Sequence, residues 1–285
     1  MKLATFGGDF STELGIVDGD AVIPLHKVDP ALPRDMTALI ARWDGAKARL
    51  ADIAATSRER VALSGLRLRQ PILRPGKLMA LGRNYAEHAK ESGSAPSDKQ
   101  IWFCKQGTSA NGPHDPIDLP RVSEQLDYEA ELVVVIGRRA KHVTADKALD
   151  YVFGYACGND VSVRDWQKMT QQWVIGKGFD THAPFGPWIT TADEVADPQA
   201  LGIRCFVNGE PRQSSNTREM IFGVADQIAL LSQAMTLEPG DILFTGTPEG
   251  VAMGMTPPKW LKAGDRVRVE IDGLGALDNP VRAEP

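Results

Sequence analysis

Glu129 and Glu131 stand directly before an unbroken apolar run, and this pattern constrains the chain more than any other segment. The run spans residues 132–136 and ends at Gly137, as a buried strand would. Side chains at positions i and i+2 of a strand point to the same face, so the two carboxylates should project side by side. They repel each other unless positive charge lies between them, and a hard divalent cation such as Mg²⁺ takes oxygen ligands. A solvated acidic edge is the alternative, which the apolar strand makes the weaker interpretation.

The composition narrows the class of protein. The chain has 285 residues, of which 42% are hydrophobic and 24% are charged, as in ordinary globular proteins. A net charge of -5 and the lack of a long Lys/Arg run argue against a nucleic-acid partner. No apolar run approaches the ~18 residues that span a bilayer, and the first residues lead into a short strand rather than a signal peptide. We therefore expect a cytoplasmic protein with no membrane partner.

The three cysteines also indicate a reducing compartment. Cys104, Cys157 and Cys205 are odd in number and widely spaced, so they give neither a disulfide framework nor a Cys-X-X-Cys metal site. We expect them to act as small buried apolar side chains.

Residues 1–70 are predicted to form a small N-terminal α/β domain. Short alternating runs predict strands at 2–6, 13–17 and 21–25. Residues 36–60 are rich in Ala, Leu and Arg with apolar residues at helical spacing, and an interruption near Asp44-Gly45 predicts two helices there. A proline-containing linker follows.

Residues 71–285 are predicted to form a larger, β-rich domain. Apolar runs between turn residues predict strands at 78–81, 101–104, 131–136, 152–157, 188–190, 204–207, 242–245 and 266–271. Helical spacing predicts helices at 145–151, 163–172 and 218–236. Thr144 is a candidate N-cap for the first helix, and Asn216 or Thr217 for the last. Because strands and helices do not alternate strictly, we expect an α+β fold with a mixed roll of sheets and a few outer helices, not a doubly wound sheet.

Asp160 follows a small-residue segment at the end of the strand predicted at 152–157. An acid at a strand end, after residues that allow close backbone approach, is a suitable third oxygen ligand, although alone such a residue is more often a cap or turn. Together with Glu129 and Glu131 it would give a cation three carboxylates and leave positions for water and substrate.

His88 and Glu91 are three residues apart in a helix-like turn, so their side chains should share one face. A glutamate that accepts from one ring nitrogen leaves the other free to take a proton, which is the arrangement of a general base and its orienting partner. An incidental surface pair is the alternative. The flexible polar residues 92–97 would let this turn act as a lid.

Two glycine-containing segments are candidate ligand-binding loops. Lys177 lies between two glycines and is a candidate contact for an anion or a developing enolate, with a solvated loop lysine as the alternative. Residues 245–250 follow a predicted strand, and their backbone N–H groups and hydroxyls could cradle a carboxylate. They lack the Lys-Ser/Thr ending of a phosphate-binding loop, and a turn without a ligand is the alternative.

Taken in order, these segments resemble the fumarylacetoacetate hydrolase family. The resemblance rests on the motifs Leu81-Gly82-Arg83-Asn84-Tyr85-x-x-His88-x-x-Glu91, Asp127-Tyr128-Glu129-x-Glu131, Asp160-Val161-Ser162-x-Arg164-Asp165-x-Gln167, Gly176-Lys177-x-Phe179-Asp180, Val207-Asn208-Gly209-Glu210, Pro239-Gly240-Asp241 and Thr245-Gly246-Thr247-Pro248-x-Gly250. It covers roughly residues 75–285, and residues 1–70 resemble the variable N-terminal segment of such proteins. One departure is Lys105-Gln106, where many relatives have Lys followed by Pro.

The resemblance implies a fold and a metal site. The fold would be a mixed β-sandwich roll like the C-terminal part of fumarylacetoacetate hydrolase. The protein would be a homodimer or a dimer of dimers. The cofactor would be Mg²⁺ or Mn²⁺, with Glu129, Glu131 and Asp160 as ligands.

The resemblance also implies roles for the surrounding residues. His88 with Glu91 would activate water, and Lys177 would stabilise the developing negative charge. The candidate substrate contacts are Arg83, Tyr85, Gln167 and Thr247.

The substrate expected from the resemblance is a 2-oxo or 2,4-diketo acid. Residues 251–261 resemble members that degrade sugar acids, so the first expectation is hydrolysis of the C3–C4 bond of L-2,4-diketo-3-deoxyrhamnonate to pyruvate and L-lactate. Related enzymes decarboxylate oxaloacetate, or isomerise and decarboxylate hydroxymuconate-type acids, and the His88–Glu91 pair does not exclude these reactions. The alternative outside enzymes is a non-catalytic metal- or carboxylate-binding protein.

Overall fold

The computed structural model describes residues 1–9 and 11–285, which fold mainly into strands joined by short helices. The strands are β1 (Lys2–Gly7), β2 (Thr12–Asp18), β3 (Ala21–Pro24), β4 (Val61–Ala62), β5 (Leu68–Arg69), β6 (Leu78–Gly82), β7 (Ile101–Cys104), β8 (Ala110–Asn111), β9 (Ile117–Leu119), β10 (Leu126–Asp127), β11 (Ala130–Ile136), β12 (Val152–Asn159), β13 (Ser162–Val163), β14 (Ala183–Thr191), β15 (Gly202–Val207), β16 (Glu210–Asn216), β17 (Ile242–Phe244), β18 (Arg266–Ile271) and β19 (Gly275–Ala283). The α-helices are α1 (Leu25–Val28), α2 (Met36–Ala41), α3 (Trp43–Thr56), α4 (Ala86–Glu91), α5 (Ala145–Ala148), α6 (Arg164–Lys168), α7 (Val174–Lys177) and α8 (Val224–Ala234).

Within the described residues, one sheet of twelve strands includes strands from both residues 1–70 and residues 71–285. Its path is β4-β3-β2-β1-β14-β12-β11-β17-β6-β7, with β5 attached to β1 and β8 attached to β14. Most neighbours are antiparallel, but β17 runs parallel to β6 and β8 parallel to β14, so the sheet is mixed. A five-stranded sheet has the order β16-β15-β18-β19-β9, and β10 pairs with β13. These open sheets confirm the predicted α+β, β-rich fold.

Strand β11 lies at the centre of the fold because both of its faces are buried. Leu132 and Val134 belong to a core that also contains residues of the five-stranded sheet and of helix α8. Val133 and Val135 point the other way, into a second core that includes residues of helices α2 and α3. This alternation explains why the run was apolar at every position.

The N-terminal segment joins the large sheet directly. Strand β1 pairs with β14, with Lys2 opposite Thr190 and Leu3 opposite Ile189. The backbone N–H of Thr191 also donates to the carbonyl of Met1 at 2.9 Å. The boundary between residues 1–70 and 71–285 is therefore crossed by strand pairing, and the division into two domains stays a prediction.

Each predicted strand overlaps an observed strand, and the main errors lie at strand lengths. Strand β14 is longer than the predicted 188–190. The prediction was too short because Pro184, Gly186 and Pro187 interrupt the hydrophobic pattern of the strand. Strands β16 and β19 were missed, as were the shorter strands β4, β5, β8, β9, β10 and β13. Polar residues dominate β16, which follows the Asn208-Gly209 turn and pairs with β15.

The helix predictions need larger corrections. Two helices, α2 and α3, are confirmed within residues 36–60, but α3 begins at Trp43, so Asp44 and Gly45 lie in its first turn and not at the break. The helix predicted at 163–172 ends at Lys168. Helix α8 begins only at Val224, after Gly223, which supplies no side chain for capping.

The predicted capping residues also have different roles. Asn216 does cap, but it accepts from the backbone N–H of Arg218 in a short turn that precedes helix α8. Thr144 stands at the N-cap of α5 without a side-chain capping bond. Helix ends are therefore less well predicted than strand positions, because capping depends on geometry that residue type alone does not fix.

All three cysteines are free thiols. Cys157 and Cys205 are buried as predicted, and Cys104 is half-buried. Burial raises the pKa of the Cys157 thiol to about 12, which makes it a poor nucleophile. None of the helices in the described ranges is long and apolar enough to cross a membrane.

Candidate active site

Three buried carboxylates meet where strands β11 and β12 are paired. Glu129 immediately precedes β11, Glu131 is the second residue of β11, and Asp160 immediately follows β12. The pairing of Ala130 with Asn159, and the bond from the Asp160 N–H to the Glu129 carbonyl at 2.9 Å, set Asp160 beside Glu129. One carboxylate oxygen from each residue lies within 4.8 Å of the others. The antiparallel register thus brings together acids that are far apart in sequence.

Two buried lysines supply positive charge to this cluster. Lys177 Nζ lies 2.6 Å from Glu129 Oε2 and 2.7 Å from Asp160 Oδ2. Lys105 Nζ lies 2.6 Å from Asp160 Oδ1. Lys177 is the last residue of helix α7 and is 2% exposed, so the alternative of a solvated loop lysine is wrong.

Arg164 connects the cluster to a neighbouring loop. Its Nη2 lies 2.6 Å from Glu129 Oε1, and its Nε lies 2.8 Å from Asp127 Oδ2. The Asp127 carboxylate also accepts the backbone N–H groups of Ala252 and Met253 at 2.8 and 3.0 Å. A buried chain of charge-assisted hydrogen bonds therefore holds this loop in place relative to Glu129.

Glu131 is the least compensated of the three acids. Its Oε2 accepts the backbone N–H of Gly246 at 2.7 Å. Burial raises the pKa of the Glu131 carboxyl well above its usual range, and the neighbouring Asp160 and Glu129 raise it further. Burial would also raise the pKa of Glu129, but Lys177 and Arg164 outweigh it and lower that pKa. The negative charge of the site is therefore not fully compensated next to Glu131, which favours an additional cation there.

This donor set fits a hard divalent cation. Carboxylate oxygens are ligands that both Mg²⁺ and Mn²⁺ accept. The ammonium group of Lys177 already bridges Glu129 and Asp160, so this position attracts a cation. A divalent ion would also relieve the repulsion that raises the pKa of Glu131.

The conformation of the loop after β17 requires a glycine at position 246. Its φ of 103° is in the region that favours glycine, and a Cβ there would lie 2.5 Å from the Cβ of Asn84. The predicted anion cradle in this loop needs a correction in one respect. The N–H of Gly246 is given to the protein's own Glu131, so it is not free for a ligand.

His88 and Glu91 form the predicted pair on helix α4. His88 Nδ1 lies 2.8 Å from Glu91 Oε1, and Glu91 Oε2 accepts the backbone N–H of Gly250 at 2.9 Å. His88 is only 5% exposed, so the alternative of an incidental surface pair is wrong. With Nδ1 as the donor to Glu91, Nε2 remains available as an acceptor.

These groups share a small cavity of about 190 Å³. Of the residues predicted for the site, it is lined by Arg83, His88, Glu129, Glu131, Gln167, Lys177 and Thr247. Asp160 and Glu91 do not line the cavity, but they contact Lys177 and His88, which do. Tyr85 is not part of the lining either and is 1% exposed in the core, so its role as a substrate contact stays a prediction.

A larger cleft of about 870 Å³ lies elsewhere, beside Trp43, Arg138 and Phe153. It contains none of the three clustered carboxylates and neither His88 nor Lys177. Chemistry depends on convergent buried groups more than on volume, so the smaller cavity is the candidate active site.

The outer wall of the cavity is cationic and aromatic. Arg83 has a φ of 58°, which is unusual for a residue with a side chain. Its guanidinium lies 5.4 Å from the centre of the Trp173 ring, which also lines the cavity. Gln167 Oε1 accepts from Arg164 Nη1 at 3.0 Å. Acidic ligands of small size suit such a wall.

Several residues of the site have no role predicted from the sequence. Lys105 was noted only as part of a departure from the family pattern, yet it contacts Asp160 directly. Arg164 and Asp127 were recognised as motif members without a role. A signal for Arg164 was available, because it follows Asp160 by four residues and is one of few cations near the acids.

Comparison with known proteins shows the family. The sequence profile described as fumarylacetoacetate (FAA) hydrolase C-terminal matches residues 77–282. The chain belongs to the fumarylacetoacetate hydrolase family. The resemblance inferred from the motifs is thereby confirmed, and family members act on keto acids.

Similar proteins within the family carry different activities. The chain is 43% identical to a mitochondrial oxaloacetate tautomerase of Xenopus laevis over 287 residues, which cover 99% of this chain and 90% of the relative. Maleylpyruvate hydrolase from Sphingobium sp. SYK-6, solved with manganese(II) ion and pyruvate, superposes with a TM-score of 0.85 at 35% identity over 100% of both chains. A 2-hydroxyhepta-2,4-diene-1,7-dioate isomerase from Mycobacterium marinum gives a TM-score of 0.78 at 32% identity, covering 100% of this chain and 99% of that one.

These relatives change the expectations about activity. The specific expectation of an L-2,4-diketo-3-deoxyrhamnonate hydrolase in rhamnose breakdown is not supported, and the alternative of oxaloacetate or hydroxymuconate-type chemistry is favoured. The Mn²⁺ in one related structure fits the expected metal class without deciding between Mg²⁺ and Mn²⁺. The cytoplasmic location is not confirmed, because the tautomerase relative is mitochondrial. The dimeric state stays a prediction.

Proposed function

We propose that the protein is a divalent-cation-dependent tautomerase that interconverts the enol and keto forms of oxaloacetate or a closely similar short 2-oxo dicarboxylate. The observation that carries the proposal is that His88 lines the same small cavity as Glu129 and Glu131. A proton-transfer group and a candidate cation site are thus within reach of one small ligand. The 43% identity to an oxaloacetate tautomerase supports the choice of reaction.

Tautomerisation needs a group that moves a proton between an oxygen and a carbon. The enol O–H proton of oxaloacetate is removed, C3 gains a proton, and the C2–C3 double bond becomes the C2 carbonyl. His88 is suited to this transfer because Glu91 holds its Nδ1 and leaves Nε2 for the substrate. Glu91 is itself held by the N–H of Gly250, so the partner that orients the ring through Nδ1 is fixed as well.

The transfer passes through an enolate, whose negative charge must be stabilised. Lys177 and Arg164 both line the cavity and carry positive charge. A bound Mg²⁺ or Mn²⁺ held by Glu129, Glu131 and Asp160 would act as a Lewis acid towards the 2-oxo acid. Fixed positive charge in a buried site is effective because little solvent screens it.

The size and charge of the cavity support a short dicarboxylate. A volume of about 190 Å³ lies below the roughly 300 Å³ at which pockets for drug-sized ligands begin. Arg83, backed by Trp173, is suited to a carboxylate at the outer end, while Thr247 and Gln167 offer polar contacts. We propose Arg83, Trp173, Thr247 and Gln167 as substrate contacts. Arg83 would bind the second carboxylate of the substrate.

A product assay tests the proposal against its family alternatives. The protein with Mn²⁺ is incubated with enol oxaloacetate and, separately, with a 2,4-diketo acid. Loss of the enol is followed by its ultraviolet absorbance, and cleavage or decarboxylation products are identified by mass spectrometry. Faster conversion to keto oxaloacetate without carbon dioxide supports the tautomerase. Carbon dioxide and pyruvate from oxaloacetate would establish a decarboxylase instead, and pyruvate with a second acid from the diketo acid would establish a hydrolase. Cation binding without any conversion would establish a binding protein.

A further inference from the structure

The buried side chain of Gln213 connects two walls of the cavity. It lies on strand β16 and is 2% exposed. Its Oε1 accepts the backbone N–H of Ala130 at 2.9 Å, and its Nε2 donates to Thr247 Oγ1 and to the Pro248 carbonyl, both at 2.8 Å. The Ala130 nitrogen can only donate and the Pro248 carbonyl can only accept, so the partners themselves fix the orientation of the amide.

This arrangement leaves the Thr247 hydroxyl able to donate its own proton to a further partner. The Gln213 amide has two protons, of which the Pro248 carbonyl takes one and Thr247 Oγ1 takes the other. Thr247 Oγ1 is therefore an acceptor towards Gln213 and must donate its own proton elsewhere. Among residues 1–9 and 11–285 no acceptor takes that proton, while Thr247 lines the cavity.

We propose that Gln213 is a positioning residue that makes the Thr247 hydroxyl a fixed donor to an oxygen of the bound 2-oxo acid. A freely rotating hydroxyl can donate or accept, but one held in this way favours a carboxylate or enolate oxygen and disfavours a ligand N–H or O–H. The same amide holds Ala130, which lies between Glu129 and Glu131. The donor and the carboxylate cluster are thus fixed relative to each other.

A double-mutant cycle tests this role through binding. Pyruvate is titrated calorimetrically into four Mn²⁺-loaded proteins. These are the natural protein, Thr247→Val, Gln213→Met and the double variant. In Gln213→Met the Pro248 carbonyl loses its donor and competes for the Thr247 proton, which turns the hydroxyl away from the ligand. We expect Thr247→Val to weaken pyruvate binding about tenfold in the natural background and less than about twofold in the Gln213→Met background. Equal losses in the two backgrounds would overturn the inference.

Two further variants separate positioning from simple destabilisation. Gln213→Glu keeps an acceptor for the Ala130 N–H but has no amide donors, so it should reduce the effect of Thr247→Val even if Gln213→Met does not fold. Gln199→Met is the matched control, because Gln199 also joins main-chain groups, at Val224 and Thr217, without lining the cavity. In that background Thr247→Val should keep its full effect, and a reduced effect there would count against the inference.

The inference rests on the proposed function for the class of ligand, and the two can fail separately. Coupled variants without faster tautomerisation of oxaloacetate would support the role of Gln213 and overturn the tautomerase. Additive variants in a protein that tautomerises oxaloacetate would overturn the role of Gln213 alone. A natural protein that binds neither pyruvate nor oxaloacetate would overturn both.

Discussion

Lys105 is a buried ammonium group whose position depends on the carboxylate cluster. Its side chain is fully buried, with Nζ 2.6 Å from Asp160 Oδ1 and 3.1 Å from the Val161 carbonyl. Burial lowers the pKa of Lys105 in spite of the Asp160 carboxylate, which means that the charged form is held at a cost. A buried pair of this kind matters for stability mainly because removing one partner leaves the other charge buried and uncompensated.

Lys105→Met should therefore destabilise the cation-free protein by about 3–5 kcal/mol, because Asp160 loses a charge partner in a buried site. Mn²⁺ should restore part of this loss, since the ion supplies positive charge next to Asp160. Urea unfolding with and without Mn²⁺ measures both quantities. Lys77→Met, which removes the partly exposed pair with Asp241, is the control and should be insensitive to Mn²⁺. A Lys105→Met loss that Mn²⁺ leaves unchanged would contradict the assignment of this site to a cation.

His182 predicts how stability depends on pH. The ring is 1% exposed, with Nε2 donating to the Asp118 carbonyl at 2.8 Å, and burial lowers its pKa to about 3. In the unfolded chain its pKa returns to about 6.5, so the unfolded state binds more protons between these values and stability falls as the pH falls. This one group should cost about 1.5–2 kcal/mol between pH ~6.5 and pH ~5.

His182→Gln should remove that part of the pH dependence, because glutamine can donate to Asp118 but does not titrate. Urea unfolding of the two proteins at both pH values gives the difference in slope. Parallel losses in the natural protein and the variant would show that His182 is not held neutral by burial.

At the scale of residues, the sequence was sufficient for groups whose partners are close in sequence or share a strand. Glu129 and Glu131 follow from strand alternation, and His88 with Glu91 from helical spacing. Lys105 and Gln213 were not found, because their partners Asp160, Ala130 and Thr247 lie on other elements. Nothing in the local pattern says which distant group they meet.

At the scale of elements, helix α4 and the loop after β17 act together. Glu91 ends α4 and is tied both to His88 and to the N–H of Gly250. Gly254 packs against the same side chain, and a Cβ there would lie 2.4 Å from Glu91 Oε2. The orientation of the candidate base is therefore set by close contact between two elements.

Gly254→Ala should displace the Glu91 carboxylate and lower kcat on oxaloacetate at least about tenfold, within the range that a positioned general base contributes. The φ of Gly254 is not in the region reserved for glycine, so the effect would be steric and local. Gly107→Ala is the matched control, because a Cβ at Gly107 meets nothing within 4 Å. Steady-state kinetics and thermal unfolding are measured for both. Unchanged kcat in Gly254→Ala would mean that Glu91 does not orient His88.

The element predictions succeeded and failed for a shared physical reason. Alternation and apolar runs report burial, and burial determines where strands such as β11 and β12 lie. Helix ends depend on how the chain packs beyond the helix, as the late start of α8 at Val224 demonstrates. Strand β16 was missed because most of its residues are polar, including the buried Gln213, so no apolar alternation marks it as a strand.

At the scale of the whole molecule, the large sheet separates two cores and carries the site at one end of its central strands. Residues of the N-terminal segment, such as Leu3 and Leu50, share a core with Val133 and Phe244 from residues 71–285. Sequence motifs were enough to recognise the family and its fold. They were not enough to choose the substrate, because the cavity wall combines Arg83, Gln167, Trp173 and Thr247 from separate segments.

The decay of enol oxaloacetate, followed by its ultraviolet absorbance, tests the central claim most directly. The natural protein with Mn²⁺ should accelerate the decay with saturation in substrate, and the product should be keto oxaloacetate. His88→Gln should lower kcat by about 10²–10⁴ without loss of thermal stability, because the base is removed from an otherwise intact cavity. A decay rate equal to the uncatalysed one, or an undiminished rate in His88→Gln, would contradict the account.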